Sequence, residues 1–273
     1  RSELPVPSSS DQSSIASYLD EKCALVDDLI AKKQRQIELL QEQRAAIINQ
    51  AVTRGLDESV EMKESGVGWV EEIPKRWETM KIKYLAFFQN GFAFSSDTYV
   101  DQGLPIVRIG DIGKPNIDLF DLRKIPEDMR GAIQNFRIVK GDILLALTGA
   151  TIGKSTLYNA DDELYLNQRV AILRPLPQIS NKFLDLIVQS DYFQENIRVI
   201  CFGGAQDNIG KPDIGRIAVF IPSLHEQNAI ISRTENHLRQ QNNLIEAIEH
   251  SLSLLNEYKT SLISHAVTGK IKV

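Results

Sequence analysis

PSSSDQSSIAS at residues 7–17 and PSLHEQNAIIS at residues 222–232 decide the architecture, because the chain superposes on itself there with a shift of 215 residues and no gap. The same shift lays DDLI at Asp27 over NNLI at Asn242 and Leu39-Leu40 over Leu254-Leu255. It also lays INQAVT, ending at Thr53, over ISHAVT, ending at Thr268. A self-match at one fixed offset marks one structural unit used twice. Each copy opens on a helix-capping signal, Ser8 with Asp11 and Ser223 with Glu226, the second with the residue types of a full capping box. Each ends near a glycine, Gly55 or Gly269, where a helix stops readily. No proline or glycine intervenes, so each copy is expected to form one helix of about 44 residues, roughly 65 Å long at 1.5 Å per residue.

The apolar positions tell what these helices do. Cys23, Val26, Ile30, Ile37, Leu40 and Ile47 in the first copy follow a three-four alternation. Leu238, Ile245, Ile248, Leu252, Leu255 and Leu262 repeat it in the second. Such spacing over several heptads is a coiled-coil seam. Arg44 and Lys259 interrupt the two seams at equivalent positions, as polar residues that set register do. Two amphipathic helices packed separately on a globular core are the alternative, but helices this long exceed what a small core covers.

Working outward, Leu4-Pro5-Val6-Pro7 matches Val219-Phe220-Ile221-Pro222, which reads as a domain's last strand running into its helix. The first copy has the strand exit without a domain before it, so the chain is expected to be the second half of a longer duplicated protein. The expected segments are a strand exit and tail at 1–10, a spacer helix at 11–55, a linker at 56–68, a domain at 69–222 and a second spacer helix at 223–273. Within the domain, LPIVRIGDI (104–112), GDILLALTG (141–149), LYLNQRVAILRP (164–175) and IGRIAVFIP (214–222) read as strands. NKFLDLIVQSDYFQENIRVI (181–200) reads as one helix or a pair. The class is α+β with mixed strands, flanked by two long coiled-coil helices.

Composition narrows the function. The chain has 273 residues and a net charge of −5, with no apolar run of the length a membrane span requires. Cys23 and Cys201 are isolated thiols, which suits a reducing, cytoplasmic setting. The four histidines are spaced too widely for a zinc pair and read as solvated helix residues. A net negative chain is no simple nucleic-acid coat, because that affinity comes from Lys and Arg neutralising phosphates. The domain at 69–221 is balanced too, with 18 Lys/Arg against 19 Asp/Glu. Any nucleic-acid role must rest on a local basic surface or on a basic partner.

Candidate contact residues sit at strand ends and in glycine loops, where a rigid scaffold places its readers. The loop Thr148–Ser155 has three residues between Gly149 and Gly153 where a phosphate-binding nucleotide loop needs four, and a strand is expected after it in place of a helix. Thr148, Thr151 and Lys154 could instead present hydroxyls and an ammonium to a DNA phosphate; a tight hairpin without ligand is the equal alternative. In FGGAQDNIGK (202–211), Gln206 and Asn208 carry the amides that pair with adenine, and Lys211 reaches guanine or phosphate. These could equally be turn residues. Arg108 and Arg169 lie in strand-like runs, where a partly buried ion pair is the rival reading.

These features together resemble the specificity subunits of type I restriction–modification systems. The resemblance rests on GWVEEIPKRWE (68–78), GLPIVRIGDI (103–112), GDILLALTGATIGKS (141–155), NQRVAILRP (167–175) and FIPSLHEQ (220–227), together with the long helices. It adds Gln168, beside Arg169, to the candidate residues. It implies a target-recognition domain reading one half of a bipartite site in double-stranded DNA, with no catalytic or metal site of its own. It further implies methyltransferase subunits docked on the helices, S-adenosylmethionine bound on those partners and no cofactor on this chain, and a restriction–translocase subunit. The departure is one domain with two helices, which suggests a homodimer through the long helices. Two rivals remain. Catalysis by this chain alone would need an Asn/Asp-Pro-Pro-aromatic run, a glycine-rich cofactor turn or clustered acidic metal ligands; Asp161-Asp162-Glu163 reads as a solvated turn. A coiled-coil protein-interaction scaffold without DNA readout is the other.

Overall fold

A computed structural model describes residues 7–57, 59–113, 117–202 and 208–271 of the chain. The expected strand exit at 4–6 and the candidate Gln206 lie outside the described residues. In chain order the elements are helix α1 (Ser9–Thr53), strands β1 (Met62–Val67), β2 (Val70–Pro74), β3 (Glu78–Lys81), β4 (Ala86–Asn90), β5 (Leu104–Val107) and β6 (Arg123–Ile125), and the short helix α2 (Arg130–Ile133). Strands β7 (Arg137–Ile138), β8 (Ile143–Ala146), β9 (Ser155–Leu157), β10 (Leu164–Leu166) and β11 (Val170–Pro175) follow. Helices α3 (Asn181–Gln189), α4 (Asp191–Phe202) and α5 (Lys211–Arg216), strand β12 (Ala218–Ile221) and helix α6 (Leu224–Val267) complete the chain. They fall into two compact units, one of residues 1–44 and 235–273, the other of residues 45–234.

The first unit is a pair of helical segments from α1 and α6. Buried and half-buried positions in α1 recur at Cys23, Val26, Ile30, Lys33, Ile37, Leu40 and Arg44, and in α6 at Leu238, Gln241, Ile245, Ile248, Leu252, Leu255, Lys259 and Leu262. That is the three-four alternation expected of a seam. The segments run antiparallel, because Lys259 Nζ donates to Asp27 Oδ1 and Oδ2 (2.6 and 2.7 Å) while Arg44 donates to Asn242 Oδ1 at 2.8 Å. The two bonds are images of each other: the 215-residue repeat places Asp27 on Asn242 and Arg44 on Lys259. The polar interruptions of the seam are therefore what pin its register.

Caps close the helices as local chemistry demands. Ser8 Oγ accepts from Asp11 N at 3.3 Å and Ser223 Oγ from Glu226 N at 3.3 Å. Only half of the second capping box forms. The Glu226 carboxylate turns away from the cap and accepts from Trp77 Nε1 and Arg76, each at 3.0 Å. At the far ends Gly55 and Gly269 take φ of 72° and 69°, stopping the helices in the left-handed conformation.

The second unit packs two four-stranded sheets, ordered β6-β5-β10-β7 and β4-β11-β8-β9, beside the two-stranded pairs β1-β2 and β12-β3. β10 runs parallel to β5, and the remaining pairs are antiparallel, so the mixed character holds. Val107, Leu144, Ala146, Leu164, Leu166, Val170 and Ile172 form a core drawn from both four-stranded sheets. Tyr165, Leu104 and Ile106 turn to a second core with Phe94, Ile125 and Ile133. Alternate residues of β10 thus serve opposite faces, and the sheet is buried on both sides. α3 packs on β9 and β11.

Three expectations need correction. The segment 56–68 is no plain linker, since Met62–Val67 is β1 of a hairpin with β2. The run 214–222 does not begin as a strand: its first residues close α5, where Pro212 supplies a helix start, and only Ala218–Ile221 pairs with β3. The unit around the sheets is wider than 69–222, because the C-terminal turns of α1 and the first turns of α6 belong to it. NKFLDLIVQSDYFQENIRVI is a helix pair, broken at Ser190, whose buried hydroxyl donates to Ile187 O and accepts from Phe193 N. Both cysteines are free, and among the described residues no helix is long and apolar enough to cross a membrane.

Candidate functional site

Two internal ties hold the loops of the second unit in place. Asp142, fully buried at the start of β8, accepts from Arg174 at the end of β11 through Nε (2.7 Å) and a terminal nitrogen (2.8 Å). It also accepts from Val139 N at 2.8 Å, so the buried carboxylate has partners for both oxygens. The guanidinium beside Asp142 is thereby held protonated, its pKa raised above the usual arginine value by the bond to that carboxylate. Gln227 forms the other tie: its buried side chain accepts from Ser180 N (2.9 Å) and donates to the carbonyls of Gln178 and Pro222 (3.0 Å each). GDILLALTG is thus locked to NQRVAILRP, and FIPSLHEQ to the start of α3 and to Trp77.

On this scaffold a cleft of about 670 Å³ opens where β4, the β8–β9 loop, the β10–β11 turn and the segment entering α5 converge. Asn90, Thr148, Gln168, Arg169, Asn208 and Asp213 line it. Backbone bonds fix each contributor. Thr148 pairs with Asn208 as an antiparallel bridge. Leu147 N donates to Arg169 O at 3.0 Å, and Ile209 N to Leu147 O at 3.1 Å. Gln168 N donates to Phe92 O at 2.9 Å, which seats the β10–β11 turn beside the end of β4. Gly91 is what permits that approach: a Cβ there would lie 2.3 Å from Asn167 O and 2.5 Å from Leu166 O. The Asn90, Gln168, Arg169 and Asn208 side chains are exposed at the rim of the cleft. The Asp213 carboxylate turns back to accept from Gly210 N at 3.1 Å.

The residues picked out in the sequence therefore divide. Thr148, Gln168, Arg169 and Asn208 come together in the cleft. Thr151 ends a single helical turn at Gly149–Thr151, and its carbonyl accepts from Lys154 N at 3.0 Å. The Lys154 stem packs over Gly113. Strand β9 follows this loop. Arg108 stands at the end of β5, its backbone N bonded to Asp111 Oδ2 (2.8 Å) and its buried Nε 4.0 Å from the same oxygen. Lys211 opens α5 with its Nζ 5.9 Å from the centre of the Phe87 ring. None of Thr151, Lys154, Arg108 and Lys211 lines the cleft. Asn90 was missed by sequence reasoning. Its signal was present in the Asn-Gly step that ends AFFQN, but that step reads as a simple turn until its partner strand is known.

Chemically the cleft offers three carboxamides, each with a donor and an acceptor edge, one guanidinium and one hydroxyl. Such a set suits planar hydrogen-bonding ligands. Among the described residues, no group of three or more His, Cys, Asp or Glu is placed to hold a metal ion.

Comparison with known proteins adds the following. Residues 74–253 match the family model described as the type I restriction modification DNA specificity domain. The chain is 28% identical to the type I restriction enzyme MjaVIII specificity subunit of Methanocaldococcus jannaschii, covering 99% of this chain and 62% of the relative. It is 23% identical to the EcoBI specificity subunit of Escherichia coli, covering 98% and 58%. The chain thus spans about 60% of the length of these two curated relatives. A chain from a structure of a type I R-M system, described in terms of complex assembly and conformational transition, superposes with a TM-score of 0.73 at 16% identity, covering 98% of this chain and 62% of that one. The HsdS subunit from Thermoanaerobacter tengcongensis superposes with a TM-score of 0.54, also at 16% identity, covering 98% and 60%. These likenesses carry the fold.

Proposed function

The chain belongs to the type I restriction modification DNA specificity family, and from that premise we propose that it reads one half of a bipartite site in double-stranded DNA, without catalysing a reaction itself. The observation that carries this reading is the cleft, where Asn90, Thr148, Gln168, Arg169 and Asn208 converge from separate segments. Carboxamides pair bidentately with adenine and an arginine fork with guanine, so this side-chain set suits base edges in the major groove. Lys154, Thr151, Arg108 and Lys211, outside the cleft, are assigned to phosphates or to positioning; Gln206 keeps its assignment as an adenine reader on sequence grounds.

Methyltransferase subunits are the proposed partners of the helix pair, with S-adenosylmethionine bound on them, and a restriction–translocase subunit completes the assembly in the cytoplasm. In support, the helices leave leucines exposed at repeat-related places, Leu29 with Leu244 and Leu39 with Leu254. Like surfaces related by the repeat suit two like partners. The homodimer expected through the long helices meets an obstacle, because each seam is already used by the other helix of the same chain.

The test is selection of bound duplexes from a random pool by the chain, with and without a methyltransferase partner. A recurrent half-site is expected. Arg169→Ala is expected to cost about 1–3 kcal/mol and to relax preference at one position. A pool that stays random under both conditions refutes DNA reading and leaves the protein-interaction scaffold.

A further inference from the structure

Net charge −5 leaves the phosphate grip unexplained, yet four exposed cations of the second unit lie on α5 or on the segments it neighbours. α5 packs against the turn that follows β3 and against β4. Lys83 Cβ lies 3.3 Å from where a Cβ on Gly215 would sit, which brings Lys83 against the residue that precedes Arg216. Lys81 pairs in register with Ala218, just beyond the end of α5. Lys211 opens the same helix. Lys83 Nζ lies 4.7 Å from the centre of the Tyr84 ring and Lys211 Nζ 5.9 Å from that of Phe87. All four cations and both rings are exposed, and among the described residues no carboxylate forms a salt bridge with any of the four. Asp213, on the same helix, is occupied with Gly210 N.

We propose that this strip of Lys81, Lys83, Lys211 and Arg216 over Tyr84 and Phe87 holds the sugar–phosphate backbone of the duplex whose base edges enter the cleft. The proposal rests on the DNA-reading function above and identifies where that function obtains its electrostatic grip. Strip and cleft share two elements. β4 carries Phe87 in the strip and Asn90 in the cleft, and α5 carries Lys211 and Arg216 in the strip and Asp213 in the cleft. The proposed strip and the cleft thus lie along the same two elements, within a few residues of each other. The rings steady the flexible lysine stems by cation–π contact, which at an exposed site is too weak to compete with a phosphate for the ammonium. Lysines bind phosphate as point charges with no demand on sequence, which is the division of labour that reading requires. An acidic protein partner is the competing occupant; continuity with a cleft of base-pairing side chains favours DNA.

The experiment measures affinity of the full chain for one fixed duplex, with its methyltransferase if needed, over about 0.05–0.2 M salt. Each phosphate neutralised adds about 0.9 to the slope of log affinity against log salt, so K81Q/K83Q should flatten it by about 1.8. The selected half-site should stay unchanged, K81R/K83R should restore the slope, and thermal melting should match that of the parent chain. An unchanged slope with DNA binding intact overturns the strip. So does an unchanged slope accompanied by weaker methyltransferase association, which assigns the surface to a protein. If the parent chain binds no duplex in either condition, the DNA-reading function itself falls, and the strip falls with it.

Discussion

Gly91 shows how one absent side chain can position a site. Its backbone lies against the Asn167 and Leu166 carbonyls, and a methyl group there would overlap them at 2.3 and 2.5 Å. That contact sets Asn90 in the same cleft as Gln168. Gly91→Ala is expected to destabilise the protein by about 1–3 kcal/mol, as forced overpacking of a filled interior does. It should also weaken half-site preference more than it weakens total DNA affinity, because the strip is untouched. Chemical denaturation and pool selection on the same preparation check both. Asn90 itself was not legible beforehand, since an Asn-Gly step looks alike in an idle turn and at a binding rim. Trp77 and Glu226 were visible only as parts of family-like runs. Their physical role, an indole N–H bonded to a carboxylate 149 residues away, needs the paired strands β3 and β12.

The helices were the most legible elements, because a heptad repeat is a local signal repeated many times over. Their caps, stops and seam positions fall where the residue types placed them. Lys33 was overlooked: a lysine in a seam is invisible to an apolar pattern, although its long stem can lie along the partner helix. The register pins can be tested as a pair. Asp27→Lys alone sets two ammonium groups against each other and should lower the thermal midpoint, while Asp27→Lys with Lys259→Asp should recover most of the loss. Lys259 titrates above its usual value because of its bond to Asp27. The effect should accordingly shrink in high salt, as exposed pairs do. Thermal melts at low and high salt measure it, and single and double variants melting alike would deny the pair a role in register.

At the scale of the whole molecule, the helix pairing predicts the mass in solution. The 273-residue chain satisfies its own seam, so light scattering should give 30.7 kDa across the usable concentration range. Twice that mass would mean that two copies exchange helices, restoring the symmetric homodimer that the sequence suggested. The gapless repeat, the heptad period and the turn-punctuated strands are carried by residues close together in the chain. They were enough to establish two matched helices around an α+β domain, and the resemblance that followed. The cleft was decided elsewhere. Asn90, Thr148, Gln168 and Asn208 meet only because β10 runs parallel to β5 and β11 lies between β4 and β8. Strand order depends on pairing energies between segments far apart, to which local periodicity is blind. For the same reason the proposed strip was hidden within a balanced charge count: a sum over the chain records how many cations it has, and only tertiary packing brings α5 against the turn after β3 and against β4.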